Sequence, residues 1–144
     1  MTLLSQTSRY ALQATAYMAE CEDGAHRATV GDIASALGVP RNYLSKILHQ
    51  LAKRGILTST RGPGGGFRLA TPPEQIRLIE IIETVEPRPA ARECLLGRPV
   101  CSDTTPCSAH DRWREVNDAM TRFLEETTLA DLAIGARRDG RDDV

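Results

Sequence analysis

The chain has 144 residues, 41% of them apolar, with 18 basic residues against 19 acidic ones. That length and composition suit a compact globular protein and exclude a collagen, a coiled-coil rod or a wholly disordered chain. No run of about 18 apolar residues occurs and no basic–apolar signal pattern opens the chain, so the expectation is a cytoplasmic protein with no membrane partner.

The near-neutral sum conceals two unlike halves. Residues 1–70 hold 8 basic and 4 acidic residues, whereas 71–144 hold 10 and 15. Between Arg27 and Arg68 there are seven basic residues and one acidic residue, Asp32. A basic half suits a polyanionic partner, and the acidic half suggests a second task.

In chain order, the first helix is expected from about Ser8 to Glu20, with Tyr10, Ala14 and Tyr17 on one stripe and Leu12 and Ala16 beside it. Glu22, Asp23 and Gly24 break that pattern. Thr29 followed by Asp32 predicts a capped start for a short second helix, whose apolar face is Ile33, Ala34 and Leu37. Gly38 can take the left-handed conformation that closes it, and Pro40 suits the start of a third helix. That helix carries Leu44, Ile47, Leu48 and Leu51 inward and ends at Gly55. Two short helices joined by a glycine-containing turn are the helix-turn-helix pattern.

After Gly55 the period changes. Ile56–Thr60 and Phe67–Leu69 are rich in strand formers, and Arg61-Gly62-Pro63-Gly64-Gly65-Gly66 lies between them. This predicts a hairpin with a glycine-rich tip, a wing. The bare backbone of Gly64 and Gly65 can approach a duplex closely, and Arg61 can reach a minor groove or a phosphate. A phosphate-cradling nucleotide loop is excluded because no Lys-Ser/Thr pair follows the glycines and no helix starts there. With its leucines inward, the third helix turns Arg41, Asn42, Ser45, Lys46 and His49 outward. Arg41, Asn42 and Ser45 lie toward the end that meets base edges, while Lys46 suits a phosphate. The expected partner is a double-stranded, palindromic DNA operator.

The second half is predicted to begin with a capping box at Thr71–Glu74 and a helix apolar over a wide arc, through Ile76, Leu78, Ile79, Ile81, Ile82 and Val85. A loop of about twenty residues follows, and such loops in compact proteins are usually functional or disordered. It holds Cys94-x6-Cys101-x5-Cys107-x2-His110, three thiols and an imidazole within 17 residues. The spacing alone admits an iron–sulfur cluster, a zinc ion or a thiol/disulfide switch, although the short Cys-x2–4-Cys knuckles of common zinc sites are absent. Cys21 reads as a small, part-buried side chain rather than a ligand. A long helix then carries Trp113, Val116, Met120, Phe123 and Leu124 at spacings of 3, 4, 3 and 1, a seam suited equally to packing on the chain's own first helix or to pairing with a second copy. Leu129 and Leu132 allow a short final turn, and residues 135–144 read as a disordered tail. No nucleophile–base–orienter set is visible, so neither an enzyme nor a small-molecule substrate is expected.

These motifs resemble the bacterial iron–sulfur transcription regulator family that includes IscR and NsrR. The resemblance rests on Ser8-Arg9-Tyr10-Ala11, Tyr43-Leu44, the wing Arg61–Phe67, the three cysteines, Phe123-Leu124 and Thr128–Leu132. It spans Leu4 to Leu132. It implies a mainly α fold with a small β-hairpin wing: a winged helix-turn-helix over 1–70, then a linker helix, ligand loop and long C-terminal dimerisation helix over 71–134. It implies a homodimer and a cluster on Cys94, Cys101 and Cys107, a two-iron two-sulfur cluster by preference and a four-iron four-sulfur cluster as the alternative. His110 matches the fourth ligand of the IscR-like branch. The acidic first-helix ligand of the NsrR-like branch is replaced by Arg9, which cannot ligate. Two positions depart from the IscR-like pattern: the first cysteine gap is six residues rather than five, and Ser45 stands where that branch has a DNA-reading glutamate.

Overall fold

The computed structural model describes residues 4–20, 27–86 and 110–132. Its elements are α1 (Gln6–Glu20), α2 (Val30–Leu37), α3 (Arg41–Arg54), β1 (Leu57–Thr60), β2 (Gly66–Leu69), a 3-10 turn (Pro73–Gln75), α4 (Leu78–Val85) and α5 (His110–Glu126). Cys21, the cysteine loop and the 135–144 tail lie outside the described residues.

Helix α2 forms as its sequence dictates. The Thr29 side chain accepts the Asp32 amide while the Asp32 carboxylate accepts the Thr29 amide, and Gly38 closes the helix at φ 67°. Helix α3 takes Pro40 as its N-cap, one residue before the first helical position, and ends on Gly55 at φ 91°. Leu44, Ile47, Leu48 and Leu51 are buried in the main core with Ile33, Leu57, Phe67 and Leu69. Burying one such side chain contributes about 1.5–3 kcal/mol relative to leaving it in water.

Two sequence expectations need correction. The first concerns α1, where Ala14 and Ala16 of the expected stripe are buried together with Ala11, Met18 and Ala19, whereas Tyr10, Leu12 and Tyr17 are only half-buried at the edges of that face. Short side chains let neighbouring helices approach closely, and bulky rings are displaced to the rim. The second correction concerns α4. The Thr71 box does not form: Pro72 caps only a 3-10 turn with no side-chain bond, and the α-helix starts at Leu78. Ile76 is held extended because the chain pairs there with residues far along the sequence. The Leu78 amide donates to the Thr127 carbonyl (3.0 Å), and the Leu129 amide donates to the Ile76 carbonyl (2.8 Å). The Glu80 carboxylate then caps α4 by accepting the Arg77 amide at 2.8 Å.

The predicted wide apolar arc is present, with Leu78, Ile79, Ile81 and Ile82 all buried. Ile81 faces the main core, whereas Leu78, Ile79 and Ile82 join Leu124 of α5 in a smaller one. After α5, Thr128 opens a final helical turn, with its amide and hydroxyl both donating to the Asp131 carboxylate.

Candidate functional site

The hairpin is antiparallel, with Leu57 opposite Leu69 and Thr60 opposite Gly66. Its tip follows from the glycines. The Gly65 amide donates to the Gly62 carbonyl at 2.9 Å, and Pro63 precedes Gly64 at φ 76°, the pattern of a type II turn. A Cβ on Gly65 would lie 2.3 Å from the Thr60 carbonyl oxygen, so no other residue fits without rebuilding the tip. One pair in from the tip, Phe67 exchanges both backbone hydrogen bonds with Ala28, at 2.8 and 3.0 Å. Ala28 therefore adds a single-residue third strand, and Gly66 is needed because a Cβ there would meet the Ala28 carbonyl at 2.7 Å. No sequence signal marked that pairing, since an isolated bridge has no periodicity.

The structure brings the expected α3 residues together on one surface. Arg41, Asn42, Lys46 and His49 are exposed, Ser45 is half-buried, and Arg61 and Gly64 are exposed on the wing, with Gly65 half-buried. His49 touches the wing. Its Nδ1 lies 2.7 Å from the Ser45 carbonyl oxygen, and its ring meets Phe67 edge-on at 5.4 Å.

The first turn of α1 supports the base of this surface, which sequence reading missed. The Thr7 hydroxyl is hydrogen-bonded to the Tyr43 hydroxyl, and Tyr10 stacks edge-on against Tyr43 at 5.7 Å. Gln6 donates from Nε2 to the Tyr10 hydroxyl at 2.8 Å. The next residue reaches the opposite way: the fully buried Ser8 hydroxyl donates to Glu86 Oε2 at 2.7 Å, at the point where the chain enters the cysteine loop. Contacts spanning 36 and 78 residues carry no local signature.

Of the expected ligand set, Cys94, Cys101 and Cys107 lie outside the described residues, and His110 is the first residue of α5. Among the described residues no group of three or more His, Cys, Asp or Glu side chains is placed to hold a metal. The expected α5 seam divides in two. Leu124 is 2% exposed, inside this chain's smaller core, and Met120 packs on that core. Val116 and Phe123 are 49% and 58% exposed, and Trp113 is half-buried. No described helix is long and apolar enough to cross a membrane.

Residues 4–134 match the family model Rrf2, described as an iron-dependent transcriptional regulator. The chain belongs to the Rrf2 family of transcriptional regulators. It is 39% identical over 132 residues to a chain of Aquifex aeolicus named only as an HTH-type transcriptional regulator, covering 90% of each. It is 34% identical over 130 residues to the HTH-type transcriptional regulator IscR of Cronobacter sakazakii, covering 90% of this chain and 78% of that one. Among solved structures, CymR, described as the global cysteine regulator of B. subtilis, superposes with a TM-score of 0.77 at 28% identity. That superposition covers 92% of this chain and 97% of CymR. The winged-helix fold is thus the Rrf2 fold, and the relatives are regulators rather than enzymes.

Proposed function

We propose that the chain is a sequence-specific, homodimeric DNA-binding regulator whose operator affinity is set by an iron–sulfur cluster on Cys94, Cys101, Cys107 and His110. The observation that carries the DNA-binding half is the exposed row Arg41, Asn42, Ser45, Lys46 and His49 beside a glycine-tipped wing. Arginine pairs bidentately with guanine and asparagine with adenine, so the N-terminal end of α3 is suited to reading a major groove. Lys46 is placed to anchor a phosphate, which orients without specifying.

The cluster half is supported by the donor chemistry and by membership of a family described as iron-dependent. Three thiolates are soft ligands suited to iron–sulfur clusters, and an imidazole can protonate or leave more readily than a thiolate. His110 stands in the first turn of α5, where unpaired amides favour negative charge nearby. Bound, the cluster would supply a centre sensitive to cluster supply, redox state or nitric oxide. The loop that would hold it joins α4 to α5, so its conformation bears directly on the helix proposed to join the two copies. Zinc held structurally, or a thiol/disulfide switch, is the competing use of the same cysteines. Colour separates them: a brown protein after anaerobic purification supports the cluster, and a colourless one the alternatives.

Selection from random duplexes should enrich a palindrome. Arg41→Ala should then relax discrimination at one base pair per half-site by about 1–3 kcal/mol. Lys46→Ala should weaken all duplexes alike and flatten the salt dependence. No enriched palindrome would refute specific recognition. The exposed Val116 and Phe123 are the proposed dimer contact, so ultracentrifugation at micromolar concentration should give a dimer and the double variant Val116→Ser/Phe123→Ser a monomer. A wild-type monomer would refute this interface.

A further inference from the structure

We propose that His49 is a hydrogen-bond acceptor that reads an amino-bearing base, cytosine or adenine. The inference rests on the DNA-binding function proposed above and assigns a chemical role to one of its residues. A carbonyl oxygen has no proton to give. The 2.7 Å contact between His49 Nδ1 and the Ser45 carbonyl therefore requires the proton on Nδ1. In the neutral ring this leaves Nε2 as a bare acceptor. The ring is also held by the edge-on contact with Phe67 of β2. Both restraints act on an exposed side chain one turn beyond Ser45, on the surface shared with Arg41, Asn42 and Lys46.

This acceptor differs from its cationic neighbours and adds to the acceptor oxygens of Asn42 and Ser45. Arginine and lysine offer only donors, which match guanine N7 and O6 or phosphate oxygens. An acceptor on the same surface matches the exocyclic amine of cytosine or adenine, which present donors in the major groove. The charged side chains on the elements around His49 are Lys46 and Lys53 at one-turn spacings on α3, and Arg68, which alternates to the other face of β2 from Phe67. Phe67 and its strand partner Ser59 are uncharged.

The test measures binding of the selected duplex, and of its single-base-pair variants, to the full-length dimer at pH 8.0. The wild type should discriminate about fivefold at one position per half-site between an amino base, cytosine or adenine, and a keto base, guanine or thymine, on the strand that His49 faces, the size of one net hydrogen bond. His49→Phe keeps a ring against Phe67 but has no acceptor, and it should lack the preference. His49→Ala should agree with it, which guards against an effect of the added bulk. If both variants match the wild type at every base pair, the inference falls while the DNA-reading function stands. If the wild type enriches no duplex, both fall.

Discussion

Cys101→Ala should strip the protein of iron and acid-labile sulfide after anaerobic purification, leaving a colourless chain that is still folded in its DNA-reading half. The expectation of near-complete loss comes from the ligand count. A cluster on three thiolates and one imidazole has no spare soft donor, and Cys21 lies far off in the sequence, beyond α1. His110→Ala should behave differently, keeping some iron but shifting the visible and Mössbauer spectra, because a water or a carboxylate can take the place of an imidazole. Iron, sulfide and zinc analysis on the wild type and both variants separates the outcomes. A colourless wild type with one zinc per chain would remove the cluster and leave DNA binding intact. Unchanged spectra in His110→Ala would move the fourth ligand elsewhere, with Glu93 and Asp103 next to be tested.

The second large effect is on stability. Leu48 is fully buried in the main core, on the inner face of the helix whose outer face is proposed to read DNA. Leu48→Ala should cost about 3 kcal/mol through lost burial and an unfilled cavity. For a chain of this size that is roughly 10 °C in Tm. Thermal melting against an exposed control, Gln50→Ala, would check it. A loss below about 1 kcal/mol would mean that the core relaxes around the missing side chain.

Sequence reading succeeded where structure is written locally. Thr29 with Asp32, the paired glycines Gly38 and Gly55, and the 3-1-3 spacing of Leu44, Ile47, Leu48 and Leu51 all act within one or two turns, and all formed as expected. The wing was legible because a change of period flanked a glycine run. Non-local structure was not legible. The Thr71 box looked sound by local rules, yet the start of α4 is decided by Thr127 and Leu129, about fifty residues away. The α1 stripe was legible in Ala14 and Ala16, which are buried, but not in the depth of Tyr10 and Tyr17, which close packing of the neighbouring helices leaves half-buried at the rim. Of the candidate site, the α3 row was readable by subtracting the apolar positions. The restraint on His49 was not, since it needs a wing residue eighteen positions on.

The backbone pairing of Ile76 and Leu78 with Thr127 and Leu129 gives α5 the mechanics of a lever. Its C-terminal end is clamped to the start of α4, and Leu124 seats just beside the clamp. The remainder projects toward His110, and most of residues 111–119 are exposed. At 1.5 Å per residue the 17-residue arm is about 25 Å long, so a tilt of about 10° at the clamp carries its far end about 4 Å. The fulcrum sits against the helix that packs on α1, and α1 in turn holds Tyr43 of α3. A chain of packed contacts thus runs from the clamp through α4 and α1 to Tyr43, at the edge of the surface proposed to read DNA.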